Sequence, residues 1–431
     1  MQESVTPDAA TALESVQWSL GTRVLFRFTF AYFVLFAAPA IEMVVPSMEW
    51  IARGYFAVQY RITPWVGKHV LGIPRAISVS ELSSGDRATD YIAFLCIVVL
   101  AVAITIVWSI ADRRARAYPR LDAALRITMR FVLAAHMLMY GVIKLFKGQF
   151  GAPSLDALTM QLGEFPPMGL LWNFMGYSRP YTFFGGFMET VGGLLLFFRR
   201  TAMLGALTVA AVMLNVVMLN FSYHVTVKLN SLNFFFWALV LAAPHAQRLF
   251  DFFLLNRATT PEPPYSFVVG PRAVKAARVA QAAVIAFSVY ASTASALLAV
   301  REYGDDVPKH PLFGIYDVTS FLVNGEPAPP LLGDARRWRR MIIDAKGWTR
   351  VRRMNDTEMG LALDSKEPTF TFSAPDGRKN VFTYAQPARA ELELTGSLGD
   401  DAIVVRFTRI DETQMPLLRE RFHWINPRSW E

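Results

Sequence analysis

The stretch DYIAFLCIVVLAVAITIVWSI, residues 90–110, carries one formal charge, at its first residue. A helix needs roughly 20 mostly apolar residues to cross the hydrocarbon core of a bilayer. The stretch therefore predicts a membrane span, and the rest of the chain is read outward from it. Upstream lies RVLFRFTFAYFVLFAAPAIEMVV (23–45). Downstream lie LRITMRFVLAAHMLMYGVIKLF (125–146), YTFFGGFMETVGGLLLFF (181–198), TAMLGALTVAAVMLNVVMLNF (201–221), SLNFFFWALVLAAP (231–244) and AARVAQAAVIAFSVYASTASALLAV (276–300). The sixth is short, and its tail HAQRLFDFFLL reads as an amphipathic interfacial segment. The fold class is a polytopic α-helical membrane bundle of about seven spans, with membrane lipids as its surroundings.

Composition supports a division of the chain. Charged residues are 18% of the 431, below the usual quarter of soluble domains. Residues 1–300 hold 24 Lys+Arg against 15 Asp+Glu, while residues 301–431 hold 19 against 20. The net charge of +8 thus belongs to the membrane part, where loop cations explain it better than nucleic-acid binding does. Cys96 is the single cysteine, which excludes intrachain dithiol chemistry and thiolate clusters. The opening MQESVTPDAATALESVQW has no basic stretch leading into an apolar core, so the first span is expected to serve as the membrane signal.

Lys and Arg in short loops set orientation. DRRARAYPR lies between spans two and three, and Arg199–Arg200 between four and five; Arg248, Arg257, Arg272, Lys275 and Arg278 lie between six and seven. The alternate loops hold little beyond Lys147 and Lys228, although the longer loop 46–89, with five Lys+Arg, argues the other way. The expectation is a protein of the bacterial cytoplasmic (inner) membrane. Residues 1–22 would be cytoplasmic, 23–303 transmembrane and 304–431 extracytoplasmic. ATTPEPPYS (258–266) reads as a Pro-rich linker.

Beyond 304 the pattern changes to alternating runs, FLVNG, MIIDAKG, FTFSAPDG, AELELTGSLGDD and AIVVRFTRIDE. Their NG, KG, DG and GDD turns predict antiparallel hairpins. Seven or eight short strands suit a sandwich or a small closed β-barrel. DARRWRRM gathers four arginines about Trp338 and reads as a solvated strand edge or an anion site. His423 and Trp424 read as barrel-closing packing.

The third span holds His136, Tyr140 and Lys144, four residues apart, and the fourth holds Glu189. An ionised group in mid-bilayer costs about 2.5–3.5 kcal/mol on insertion scales and persists only when paired or facing a cavity. A hydrogen-bonded chain Glu189–His136–Tyr140–Lys144 is the simplest arrangement. A Lys–Glu pair that only fixes helix packing is the plainer one. Asn215, Asn220, Tyr223, His224, Lys228, Asn230 and Asn233, around the hairpin into span six, are expected to line a polar pocket in the outer half of the membrane. His69 and Asp86 of the 46–89 loop would join it. PPMGLLWNFMGYSRP, with Trp172 and Tyr177, is too broken to span and reads as an interfacial or re-entrant cover. Gly185, Gly186, Gly192 and Gly193 read as close-packing positions. Six scattered histidines give no metal motif and no matched pair for haem.

GVIK (141–144) and ETVGGLLLFFRRT (189–201), with FKGQFGAP, PMGLLWNFMGYS, NFSYHVTVKL and the ending RFHWINPRSW, resemble the DoxX/DoxD-like integral membrane family, in a long subgroup with a C-terminal lipocalin-like β-domain. The resemblance implies a four-helix DoxX-like core over about 120–256. It also implies a link to thiosulfate:quinone oxidoreductases and redox-stress complexes, with quinone as a lipophilic carrier and a redox-protein partner or homo-oligomer. His224 departs from that subgroup, which carries an acidic residue there. Two readings follow. In one, the chain is a redox-linked subunit that binds quinone, with His136 and Tyr140 on its carbonyls and Glu189 and Lys144 relaying protons. In the other, it is a non-catalytic anchor or a lipid- and small-molecule-handling module whose barrel binds a lipid or a partner protein.

Overall fold

The computed structural model describes residues 17–45, 48–73, 85–260, 270–305, 307–364, 368–373, 378–419 and 424–425. Ser83 and Ser84, the Pro-rich linker from 261, His423 and most of the N-terminal segment lie outside the described residues. The chain divides into two units. One is Met1–Phe150 with Pro166–Gly304; the other is Gly151–Phe165 with Asp305–Glu431.

The first unit is helical: α1 Leu20–Ala37, α2 Glu49–His69, α3 Ala88–Ala111, α4 Pro119–Leu145, α5 Pro167–Tyr177, α6 Arg179–Phe197, α7 Ala202–Ser222, α8 Lys228–Ala242, α9 Ala246–Phe253 and α10 Pro271–Tyr303. Among the described residues five helical stretches are long and apolar enough to cross a membrane: Leu20–Ile41, α3, α4, α7 and α10. The other two expected spans also form helices, α6 and α8. With 15 residues, α8 rises only about 22 Å at 1.5 Å per residue, short of a full crossing. Helix α3 buries Ile92, Ala93, Ala101 and Thr105, while Val99, Val107 and Ile110 stand out from the bundle. Outward apolar surface on this scale requires lipid, not water, around it. The chain is a membrane protein.

Local signals set the helix ends. Asp90 accepts from the Arg87 amide at 2.9 Å and starts α3. Pro119 opens α4, where a missing N–H costs nothing. Ser178 accepts from the Tyr181 amide and caps α6. The carbonyls left free at the end of α6 are met by side chains. Arg130 donates to the Leu196 and Phe197 oxygens at 2.9 and 3.0 Å, and Gln281 donates to the Phe197 oxygen at 2.9 Å.

Helix α4 is central. Helices α4, α6, α7 and α8 pack in a closed ring, each against the next, and α10 and α1 also touch α4. The apolar core includes Met129, Leu133, Met137, Leu138, Leu196, Val209 and Trp237. Helix α1 is locked by a buried polar group: Arg27 donates to the Tyr118 hydroxyl, Ser109 Oγ and the Asp112 oxygen.

In the second unit eight antiparallel strands run in sequence order: β1 Gly314–Val323, β2 Trp338–Ile343, β3 Trp348–Arg353, β4 Glu358–Leu363, β5 Thr369–Ser373, β6 Lys379–Ala385, β7 Glu391–Leu398 and β8 Asp401–Ile410. Strand β1 pairs with β8, from Ile315↔Ile410 to Val323↔Ile403. The sheet therefore closes into a barrel and has no free edge, which decides barrel against sandwich. The Asn324–Gly325 turn has positive φ at both residues, 53° and 85°, the geometry that Asn-Gly favours in a two-residue hairpin. Trp338, Phe370, Phe382 and Phe407 fill the interior, none more than 1% exposed. Segment 151–165 belongs with this unit. Leu155 packs against Ile315 and Ile342, and Arg350 and Arg352 reach Asp156 and Glu164 at 3.6 and 3.4 Å.

Candidate functional site

Lys144 and Glu189 form a two-pronged ion pair. Lys144 Nζ lies 2.7 Å from Oε1 and 2.6 Å from Oε2, and the two residues are only 9% and 3% exposed. Glycines bring them together. A Cβ on Gly186 would fall 2.6 Å from the Gly141 oxygen and 2.7 Å from Lys144 Cβ. One on Gly141 would fall 2.7 Å from the Gly186 oxygen. Helices α4 and α6 thus touch backbone to backbone here, and a larger residue at either position would part them. Gly192 and Gly193 also make close approaches, but Gly185 meets nothing within 4 Å.

His136 and Tyr140 do not join that pair in a hydrogen-bonded chain. His136 Nδ1 is 2.8 Å from the Val132 oxygen, and its ring stands 4.6 Å from the Phe234 ring. Tyr140 holds its ring 5.8 Å from Lys144 Nζ and 6.2 Å from Phe234. The expected four-member relay is therefore corrected to a closed ion pair on one side and a histidine and tyrosine on another. The reason is helical pitch. A step of four residues overshoots 3.6 by about 40°, so two steps carry Lys144 about 80° around α4 from His136. Lys144 faces α6, whereas His136 faces α8.

What His136 and Tyr140 face is a cavity of about 330 Å³. Phe36, Phe94, Phe234 and Trp237 form its aromatic wall; Tyr55, Gln59, Asp86, Asp90 and Asn230 add polar groups. Asp86 and Asn230 stand at the starts of α3 and α8, and Pro39 just past α1. The cavity therefore reaches from that end of the bundle to His136, roughly 14 Å along α4 from its C-terminus.

The remaining sequence candidates disperse. Asp86 lines the cavity and caps α8, accepting from the Lys228 and Leu229 amides at 2.6 and 3.1 Å. Lys228 Nζ lies 3.6 Å from the same carboxylate and donates to the Val225 oxygen. Asn233 is buried and accepts from the Tyr32 hydroxyl, while its amide donates to the Leu229 oxygen at 2.8 Å. Asn220 is buried with its Nδ2 unpartnered. These four are interior, but of them only Asp86 is on the cavity wall. Asn215 is exposed on α7, which corrects its placement in the pocket; its helix face turns outward. Tyr223 packs with Phe150 and Leu171. His224 is exposed, with φ of 55°, and shapes the hairpin. His69 stands 5.5 Å from the Trp65 ring and is not among the wall residues.

Sequence reasoning missed Tyr32, Tyr55, Gln59, Asp90, Phe94 and Trp237. Tyr32 had a signal, as a hydroxyl in the apolar run FAYFVLF. Tyr55 and Gln59 come from α2, whose polar helical pattern gives no hint of what it covers.

Comparison with known proteins adds one relative. Over 103 residues the chain is 34% identical to an uncharacterized protein, YwoB, of Bacillus subtilis (strain 168). The match covers 23% of this chain, which spans 64% of that protein's length. No family model matches the chain, and no solved structure matches it.

Proposed function

We propose that this chain is a redox-linked protein of the DoxX-like kind in the bacterial cytoplasmic membrane, and that its cavity binds a quinone or similar lipophilic small molecule. The observation that carries this is the pairing of an aromatic wall with two side chains, His136 and Tyr140, whose remaining polar atoms have no partner among the described residues. Small-molecule sites combine apolar walls with a few convergent polar groups, in volumes of about 300–1,000 Å³. The cavity lies at the lower end of that range, suited to a one- or two-ring headgroup. Loop cations support a cytoplasmic N-terminus and an extracytoplasmic barrel, which puts the cavity in the outer half of the bilayer. The ion pair behind Tyr140 serves structure in this reading, since each charge is already neutralised by the other. A non-catalytic anchor with a protein partner on the barrel wall is the competing reading. The filled interior of the barrel favours such a partner over a lipid held inside.

The test is lipid extraction from purified protein, with quinone measured per mole of chain. Wild type should retain quinone in its oxidised or reduced form, and Ala93→Trp, which puts a large ring on the cavity wall, should lose both while staying folded. Equal content in both would remove the cavity as the site.

A further inference from the structure

We infer that the cavity selects its ligand by a hydrogen-bond donor: the geometry points to a planar aromatic compound with a free hydroxyl, of the phenol or hydroquinone class, bound with that hydroxyl on His136 Nε2. This rests on the reading of the cavity as a small-molecule site and specifies its chemistry.

The argument begins at the far side of the ring. His136 Nδ1 sits 2.8 Å from the Val132 carbonyl oxygen. A carbonyl only accepts, so Nδ1 carries the proton, and in the neutral imidazole Nε2 is a bare acceptor. Among the described residues the ring has no carboxylate partner to hold a second proton, and it stands against the Phe234 ring. Nε2 therefore needs a donor, and the wall brings none to it: Phe36, Phe94 and Phe234 have none, and the one donor there, the Trp237 Nε1–H, is buried without a partner rather than bonded to the imidazole. An oxidised quinone, an aldehyde or an ester offers only acceptors and would set lone pair against lone pair. A hydroxyl on an aromatic ring meets the nitrogen with a proton and meets the wall with a flat face. Tyr140, one turn along α4, can donate or accept and so tolerates either group at the other end of the ligand.

Charge at the mouth does not argue for a cation instead. Asp86 is occupied by the Lys228 and Leu229 amides and by the Lys228 ammonium. Asp90 is occupied by the Arg87 amide. The Lys228 ammonium offsets the Asp86 charge, Asp90 serves as a helix cap, and the proposed ligand is neutral.

The experiment uses full-length protein in nanodiscs of fixed lipid composition under anaerobic conditions. The probes are a short-chain benzoquinone, its quinol and the quinol dimethyl ether, with binding corrected for partition into protein-free discs. An unpaired buried acceptor is costly, and sites built around a substrate hydroxyl reject analogues that lack it. Wild type should bind the quinol about tenfold or more tighter than the quinone or the ether. His136→Phe should bring the three within about threefold of one another. His136→Gln, which keeps an acceptor oxygen, should recover part of the preference. Quinone binding as tight as quinol in wild type would overturn the inference and leave the cavity reading standing, as would a preference that survives His136→Phe. Binding of no probe above the protein-free discs would remove both.

Discussion

Removing one partner of the Lys144–Glu189 pair should cost nearly as much as removing both, or more. Both residues are under 10% exposed, and both carboxylate oxygens lie within 2.7 Å of the ammonium. Breaking a buried pair from one side typically costs about 3–5 kcal/mol, because it strands a charge. Lys144→Met leaves the buried Glu189 carboxylate without its cation. Glu189→Gln leaves the ammonium with one amide oxygen. The double variant Lys144→Met/Glu189→Gln strands only a neutral amide, at about 1–3 kcal/mol. Additivity would predict about 6–10 kcal/mol for the double, so the coupling should be at least about 3 kcal/mol, or roughly two orders of magnitude in the unfolding equilibrium. Reversible unfolding in mixed micelles, followed by circular dichroism in all four proteins, measures it. A double variant whose loss equals the sum of the singles within about 0.5 kcal/mol would refute the claim that the two charges stabilise each other.

Two further outcomes are expected. Asp86→Ala should speed hydrogen exchange at the Lys228 and Leu229 amides about tenfold, the equivalent of a lost N-cap. Because Asp86 holds a φ of 60°, Asp86→Gly separates the cap from backbone strain and should show most of the same acceleration, whereas unchanged exchange in both would deny the capping role. In the second unit, burial pushes the Asp156 carboxyl above its usual range, against the opposing pull of Arg350. A raised folded value means that its contribution to stability is present below the unfolded pKa and is lost as pH rises through the folded one. Asp156→Asn should therefore slow exchange in the turn Leu155–Thr159 at neutral pH and, after correction for intrinsic rates, flatten its dependence on pH. A variant that tracks wild type across that range would overturn the assignment.

The membrane spans and the barrel were legible because each has one dominant period. Long apolar runs such as 90–110 admit no other reading, and Asn324–Gly325 between alternating runs marks a hairpin directly. Closure of the barrel, expected from the lipocalin-like resemblance, was not legible in the strand pattern alone, which also suited a sandwich, since closure depends on β1 meeting β8 across the length of the domain. The site was half legible. Lys144 and Glu189 announced themselves by charge, and the glycines that let them meet stood in the same motifs. The error over His136 came from treating a four-residue spacing as a straight stripe, which holds for one step and fails over two. The other walls of the cavity come from α1, α2, α3 and α8, and no local pattern tells which faces of four separate helices converge.

Tyr140 explains why the ion pair and the cavity belong in one account. Its ring lines the cavity and lies 5.8 Å from Lys144 Nζ. At about 6 Å and an effective dielectric constant near 20, one unit charge exerts about 3 kcal/mol on another. An unpaired Lys144 would therefore impose a field of that order at the Tyr140 ring, and a weaker one on whatever the cavity holds beyond it. The closed pair cancels most of that field at its source. A neutral aromatic ligand on a neutral imidazole is consistent with such a site. Opening the pair, by Glu189→Gln or Lys144→Met, should then change the charge of the preferred ligand as well as the stability of the fold. The cationic single variant should draw ionised phenolates, and the anionic one should repel them.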